Sequence, residues 1–173
     1  MNIYPNLTCR RSAAIDIFNR FRRSAQLQAL YSKLTGKPVY LEEFSACAAC
    51  RQEGRRRLGV QDIPVSKITG SVDRSRDFSY DFRPLKKHLA ERWAGAYMLS
   101  SMNSWPPVKV YKVGDRYFVE DGHHRVSVAR FLGMVDIQAE VWEYAVKPAR
   151  VEGVKPACKG AATGRMEPLL PPC

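Results

Sequence analysis

Residues 117–130 read Tyr-Phe-Val-Glu-Asp-Gly-His-His-Arg-Val-Ser-Val-Ala-Arg, and this stretch decides the fold. Residues 117–120 have the apolar content of a strand. Residues 123–132 have the pattern of a helix, which Gly133 ends. Asp121 and Gly122 stand between them, where a glycine allows a sharp turn and the close approach of a ligand. The sequence therefore predicts a strand, a tight loop and a helix N-terminus in succession.

The start of that helix is predicted to bind an anion. Its first turn has amide groups without partners and a partial positive charge. Arg125 can bind phosphate oxygens through two parallel hydrogen bonds, and His123 and His124 can donate to the same oxygens. The alternative is that these side chains cap the helix while Asp121 fixes the turn. The phosphate interpretation requires an open helix end and an Arg125 without a carboxylate partner.

Asp121 is the predicted ligand of a metal that accompanies the phosphates, or a general base. Glu120 is its neighbour, but adjacent side chains on a strand point to opposite faces, so we expect only Asp121 to serve the site. A second candidate loop, Gly70-Ser-Val-Asp-Arg74, carries a hydroxyl, a carboxylate and a guanidinium that suit contact with phosphate or a second substrate. The same residue types are common in ordinary turns.

Outward from this stretch, the chain alternates between strand and helix patterns. Residues 108–113 and 116–120 predict a hairpin, and residues 136–144 predict a final strand. Residues 82–102 have helical spacing and are followed by Trp-Pro-Pro, whereas residues 63–68 predict a short strand.

The first third of the chain is predicted to be helical. One apolar stripe is expected along the first helix, formed by Ile15, Phe18, Phe21, Leu27, Leu30, Tyr31 and Leu34. A second helix is predicted at about 41–57. The chain thus divides into a helical extension at 1–59, an α/β domain at 60–144 and a flexible tail rich in proline and glycine at 145–173.

The composition is basic, with 28 Lys and Arg against 17 Asp and Glu and a formal net charge of +11. This charge favours phosphate-rich partners, either a nucleotide or a nucleic acid. No apolar run is long enough to span a membrane, and the first residues lack the apolar core of a secretory signal. We therefore expect a cytoplasmic protein without a membrane partner, and the sequence leaves the oligomeric state open.

Cys47 and Cys50 have the spacing of half a zinc site, but the sequence has no second close pair. Cys9 could serve as a third ligand, and a fourth ligand would still be missing. Cys47 and Cys50 are interpreted as two small buried or half-buried residues. Arg55, Arg56 and Arg57 could follow a nucleic-acid backbone or form a solvated face.

The chain resembles the ParB/sulfiredoxin superfamily, and more narrowly its stand-alone ParB N-terminal-like domains. The segments that carry the resemblance are residues 63–68, residues 70–71, the predicted strand pair and residues 121–129. The resemblance covers residues 60–144. It implies a small α+β domain with a mixed sheet, here preceded by the helical segment. It also implies binding of ATP, ADP or CTP, with or without Mg²⁺, through a Gly-x-x-Arg loop that maps onto Gly122 to Arg125.

The sequence departs from particular branches of that superfamily. His123 stands where sulfiredoxin-like members carry a cysteine and where partition-type ParB proteins carry a glutamate, so neither sulfinic-acid reduction nor CTP-gated clamping is implied. The Asp-Gly-His-His-Arg form is similar to that of the superfamily's free-serine kinases. Their catalytic glutamate has no clear equivalent here, and Asp73 is the nearest acid.

The leading hypothesis is a nucleotide-dependent phosphotransferase or hydrolase. The predicted nucleotide-binding residues are Gly122, His123, His124, Arg125, Gly70, Ser71 and Arg74. The predicted catalytic residues are Asp121, His123 and Asp73. The alternatives are a ParB-like DNA-binding module or nuclease, and a nucleotide sensor without turnover.

Overall fold

The computed structural model describes residues 5–46, 54–100 and 105–144. In chain order their helices and strands are α1 (Pro5–Thr35), β1 (Glu42–Glu43), β2 (Arg55–Pro64), β3 (Ile68–Ser71), α2 (Ala90–Ser100), β4 (Val108–Val113), β5 (Arg116–Asp121), α3 (His123–Phe131) and β6 (Asp136–Tyr144). Short 3-10 turns lie at Phe44–Ala46, Val65–Lys67 and Lys87–Leu89.

The strands form one mixed sheet in the order β1-β3-β5-β4-β6-β2. Three neighbouring pairs are parallel, β1 with β3, β3 with β5, and β4 with β6. The β4–β5 hairpin and the β2–β6 pair are antiparallel. This topology confirms the predicted fold class, an α+β domain with a mixed sheet preceded by an N-terminal helix.

The main core joins the three helices to the sheet. Phe18 of α1 and Trp93 of α2 are fully buried, with ring centroids 5.8 Å apart. The Trp93 indole N–H donates to the Ser127 hydroxyl of α3 at 3.0 Å, so the buried polar edge of the tryptophan is satisfied. A smaller aromatic cluster contains Tyr111, the neighbour of the main-core residue Val110 on β4. Since neighbours on a strand alternate in direction, this cluster lies on the opposite side of the sheet.

The predicted second helix at 41–57 is wrong wherever the structure describes those residues. Glu42–Glu43 is a short strand, and Arg55–Pro64 is an edge strand paired with β6 from end to end, apart from an irregularity at Leu58. The pairing places Arg56 opposite Glu143, and these side chains form an ion pair with N and O atoms 2.8 Å apart. A partner so distant in sequence overrides the local helical pattern. Cys47 and Cys50 lie outside the described residues, as does the predicted tail.

Two further boundaries differ from the predictions. The strand expected at 63–68 is instead the end of β2, a 3-10 turn and the start of β3. The helix expected from residue 82 begins at Ala90, after a 3-10 turn. Phe82 has a φ of 55°, a left-handed conformation that no right-handed helix accommodates.

The apolar stripe of α1 is divided between two opposite faces. Phe18 is buried, whereas Leu27 and Leu34 are 70% and 80% exposed. Successive helical residues are rotated by about 100°, so Leu27, nine positions beyond Phe18, points to the opposite side of the helix. The N-terminal half of the predicted stripe therefore faces the core, and the C-terminal half faces solvent.

Across the described ranges, no helix combines the length and apolar character needed to cross a membrane.

Candidate functional site

Gly122 makes the turn between β5 and α3. Its φ is 101° and its ψ is 19°, a region that side chains rarely adopt. A Cβ atom at this position would lie 2.6 Å from Cγ1 of Val108, so the packing of β4 also requires glycine. No side chain caps the helix at Gly122. The structure therefore does not show the side-chain cap that is the alternative to a phosphate site at this helix end.

A cavity of about 610 Å³ lies over this helix end. Its lining combines residues 120–125 with Asp73, Arg74, Arg92, Leu99, Trp105 and Pro106, among others. Pockets of this size accommodate small-molecule and cofactor ligands. The N-terminus of α3 is therefore open to a cavity rather than plugged by protein.

Ser71 and His123 form a buried pair beneath the cavity. The Ser71 oxygen lies 2.7 Å from Nε2 of His123 and accepts a hydrogen bond from the Arg74 amide at 2.9 Å. Either group can donate in the contact between the hydroxyl and Nε2, depending on the tautomer of His123. In the tautomer with the ring proton on Nδ1, the hydroxyl donates to Nε2 while it accepts the Arg74 amide hydrogen.

His123 is held in its neutral form. Burial lowers the pKa of His123 to about 4, an effect that the nearby charge of Asp73 partly opposes. Its ring stacks on Phe78 with centroids 6.0 Å apart. A neutral ring that carries its proton on Nδ1 is a hydrogen-bond donor and not a cation. Burial thus keeps His123 in a form suited to orienting a ligand oxygen.

His124 has two buried ring nitrogens, and neither has a hydrogen-bond partner among the residues that the structure describes. Burial lowers the pKa of His124 to about 4, and the neighbouring charge of Arg74 contributes. Buried polar atoms are nearly always paired in folded proteins, because leaving one unpaired costs about 1–3 kcal/mol. His124 also lines the cavity, which makes it a candidate ligand contact.

Arg125 is not placed as the phosphate interpretation required. Its guanidinium donates to the Asp121 carboxylate at 2.7 Å and to the carbonyl oxygens of Pro106 and Pro107. Its side chain is only 14% exposed. In this conformation Arg125 ties β5 and α3 to the segment before β4, and it also occupies one oxygen of the predicted metal ligand Asp121. Arg125 also lines the cavity, and its role in phosphate binding stays a prediction.

Two other arginines are available to an anion. Arg74 and Arg92 both line the cavity, and neither guanidinium has a hydrogen bond or ion pair within the described parts of the chain. Arg74 and Asp73 belong to the predicted second loop, which the fold brings to the predicted first loop. Gly70 is not among the residues that line the cavity, and a Cβ atom there would lie 2.3 Å from the Phe118 ring, so close packing requires a glycine at this position.

Arg92 and Trp105 were not predicted as site residues. Arg92 is an exposed residue on α2, a pattern that in sequence indicates a solvated helix face. Trp105 directly follows the undescribed residues 101–104, and its indole N–H donates to the Ala96 carbonyl at 2.9 Å. Only the tertiary arrangement of α2 beside α3 brings them to the site.

The acidic residues at the cavity do not form a preformed metal cage. Within the described residues, no group of three or more His, Cys, Asp or Glu side chains could hold a metal ion. Glu120 instead accepts a hydrogen bond from Tyr111 at 2.6 Å. Burial together with this bond raises the pKa of Tyr111 to about 12. A Mg²⁺ ion that is bound by Asp121 and takes its other ligands from phosphate and water stays a prediction.

The arginine run on β2 is already compensated by the protein. Arg56 pairs with Glu143, and Arg57 pairs with Glu140 at 2.9 Å. Arg55 lies over the Trp142 ring, 4.7 Å from its centroid. These contacts reduce the positive charge that β2 can offer to a nucleic-acid backbone.

No family model and no curated protein matches this chain. Among solved structures, sulfiredoxin from Arabidopsis thaliana is similar at 18% sequence identity, over 47% of this chain and 82% of that chain, with a TM-score of 0.35. A likeness this distant does not establish what this chain binds. The ligand of the cavity therefore has to be inferred from its own residues.

Proposed function

We propose that this chain binds a nucleotide, ATP, ADP or CTP, with its phosphates at the N-terminus of α3. The observation that carries the proposal is the open cavity over this uncapped helix end, lined by Arg74 and Arg92 without protein partners. Helix N-termini attract anions, and unpaired guanidinium groups at the same cavity add charge-assisted hydrogen bonds.

The cavity offers different surfaces to the two halves of a nucleotide. The amides of the first turn of α3, Nδ1–H of His123 and the two arginines would bind phosphate oxygens. Leu99 and Trp105 form an apolar part of the lining, to which the base can be assigned. The Trp105 ring is held by its hydrogen bond to Ala96, so it is a fixed platform for stacking.

Asp73 supports phosphoryl transfer as a second candidate function. Its carboxylate is exposed, lines the cavity and has no hydrogen bond or ion pair with any residue in the described ranges. In this step the oxygen of an acceptor hydroxyl or water bonds to the terminal phosphorus while the bond to the bridging oxygen breaks. Asp73 accepts the acceptor's proton, and the nucleoside diphosphate leaves with the bridging electrons.

Thermal unfolding with each nucleotide, with and without Mg²⁺, tests the binding proposal. Ligand at 100 times its Kd stabilises a folded protein by about 2.7 kcal/mol, so the unfolding midpoint should rise with nucleotide concentration. No shift with any of the three nucleotides would overturn it. Chromatographic measurement of nucleoside diphosphate from ATP tests turnover, and Asp73→Asn should retain binding but lose product formation.

A further inference from the structure

The outer face of α1 carries an unusual run of exposed apolar side chains. Leu27, Leu30, Tyr31 and Leu34 are 70%, 58%, 59% and 80% exposed. Their spacing of i, i+3, i+4 and i+7 places them in one line along the last turns of the helix. We call these four residues the outer stripe. Aligned apolar side chains of this kind are typical of helix-to-helix contacts rather than of scattered surface residues.

A groove continues the outer stripe on one side. Its volume is about 410 Å³, and it is bounded by Leu30, Lys33, Val39, Tyr40, Arg76 and Leu85, among others. Leu30 belongs to both the stripe and the groove, so the two form one continuous surface. This surface therefore has a convex apolar ridge next to a groove of mixed apolar and basic lining, which suits a partner with protruding side chains.

The charges around this surface have one sign. Lys33 and Arg76 border the groove and have no ion-pair partner within the described ranges, whereas Lys86 pairs with Asp77 at 2.6 Å. No acidic residue lines the groove. Charge complementarity therefore calls for a partner with carboxylates beside its apolar face.

A second copy of this chain does not meet that requirement. Pairing two outer stripes would place Lys33 and Arg76 of one protomer near the cations of the other, and like charges across an interface oppose binding. Four partly exposed side chains also offer less surface than the ~800 Å² per partner of a stable dimer. The surface fits a smaller and transient contact.

We propose that the outer stripe and its groove bind an acidic amphipathic helix of another protein. Leucine-like side chains of that helix pack between Leu27, Leu30 and Leu34 and into the groove, and its flanking carboxylates pair with Lys33 and Arg76. A flat anionic membrane would match the charge but could not fill the groove. This proposal is independent of the nucleotide site.

Fluorescence anisotropy of the full chain with a labelled synthetic peptide tests this inference. The peptide is a helix of about 20 residues with leucines at the spacing of the outer stripe and glutamates beside them. Leu30→Glu should weaken binding by about tenfold or more, and Lys33→Glu should weaken it by a smaller factor. Leu132→Glu is the matched control, because Leu132 is 44% exposed at the end of α3 and lies outside this surface.

A peptide of the same composition in scrambled order should not bind, and circular dichroism should show that each variant is folded. Equal binding of both peptides, equal loss in Leu30→Glu and Leu132→Glu, or no binding at millimolar peptide would overturn the proposal. Sedimentation showing a dimer that Leu30→Glu abolishes would assign the surface to a second copy instead. Co-sedimentation with phosphatidylserine vesicles that is lost in Leu30→Glu would assign it to a membrane.

Discussion

The buried hydroxyl of Ser71 lies 2.7 Å from Nε2 of His123, so the two side chains share a hydrogen bond beneath the cavity. The same oxygen accepts the amide hydrogen of Arg74. Ser71 therefore connects the end of β3 both to the loop that carries Arg74 and to the first turn of α3. The two loops that the sequence predicts as separate candidates are joined at this hydroxyl.

Ser71→Ala should lower the free energy of unfolding by about 1–3 kcal/mol, because Nε2 of His123 loses its buried partner. Denaturant unfolding followed by circular dichroism measures the change. Ser66→Ala, at an exposed residue of the preceding 3-10 turn, is the control and should change stability by less than about 0.5 kcal/mol. Equal effects in the two variants would contradict the structural role of the Ser71 hydroxyl.

The stability of the domain should fall in mild acid. Burial lowers the pKa values of His123 and His124 from 6.5 to about 4, so between these values the unfolded chain binds more protons than the folded chain. The free energy of unfolding is therefore highest above pH 6.5 and falls progressively as the pH falls towards 4, by an amount on the order of 1–3 kcal/mol for each histidine.

Unfolding free energies at pH 7, 6 and 5 measure this loss. The exposed His88 offers a control, since His88→Gln should leave the slope unchanged. A flat profile between pH 7 and 5 would show that the two histidines are accessible to protons in the folded state.

His124→Leu should stabilise the protein without ligand by about 1 kcal/mol, since it removes two buried nitrogens that have no partner. The same variant should bind nucleotide more weakly if those nitrogens contact the ligand. Thermal unfolding with and without nucleotide gives both quantities. A destabilised variant would indicate that His124 already has partners in solution.

Arg125 and Arg74 should respond differently to truncation. Arg125→Ala removes hydrogen bonds to Asp121 and to two proline carbonyls, so it should lower stability by about 1–3 kcal/mol. Arg125→Lys should restore little, because an ammonium cannot reproduce the guanidinium's planar set of donors. Arg74→Ala should change stability by less than about 0.5 kcal/mol.

The reverse order of effects is expected in nucleotide affinity, measured by equilibrium dialysis of the folded variants. Arg74→Ala should weaken binding by about tenfold, which corresponds to one charge-assisted hydrogen bond of about 1.4 kcal/mol. A different result is that Arg74→Ala binds nucleotide with normal affinity, while an Arg125 variant of unchanged stability loses affinity. In that case Arg125 leaves Asp121 to bind the phosphate.

The β4–β5–α3–β6 region could be predicted almost to the residue because its signals are local. The alternation at 108–113, the glycines at the turns and the apolar spacing of α3 each specify one conformation. The strand β2 could not be predicted in this way, because Arg56 and Arg57 pair with glutamates of β6 that lie more than eighty residues away. Long-range pairing of this kind leaves no periodic signal in a polar edge strand.

Residues of the two loops that the sequence predicts as candidates line one cavity, but not all of their contacts could be predicted. The glycine turn, the helix N-terminus and the second loop are recognisable from residue types alone. Which arginine at the cavity is left without a protein partner depends on competition for partners. Asp121 and the carbonyls of the Pro-Pro segment bind Arg125, whereas Arg92 reaches the cavity because α2 packs beside α3. Neither outcome follows from sequence spacing.

Isothermal titration calorimetry of the wild-type chain and an Arg74→Ala/Arg92→Ala double variant with ATP, ADP and CTP tests the central claim most directly. The account predicts measurable heat with at least one nucleotide, a reduction in affinity of roughly a hundredfold in the double variant, and unchanged affinity in Arg56→Ala/Arg57→Ala on the distant strand β2. No heat with any nucleotide, or equal affinity in wild type and the cavity variant, would contradict it.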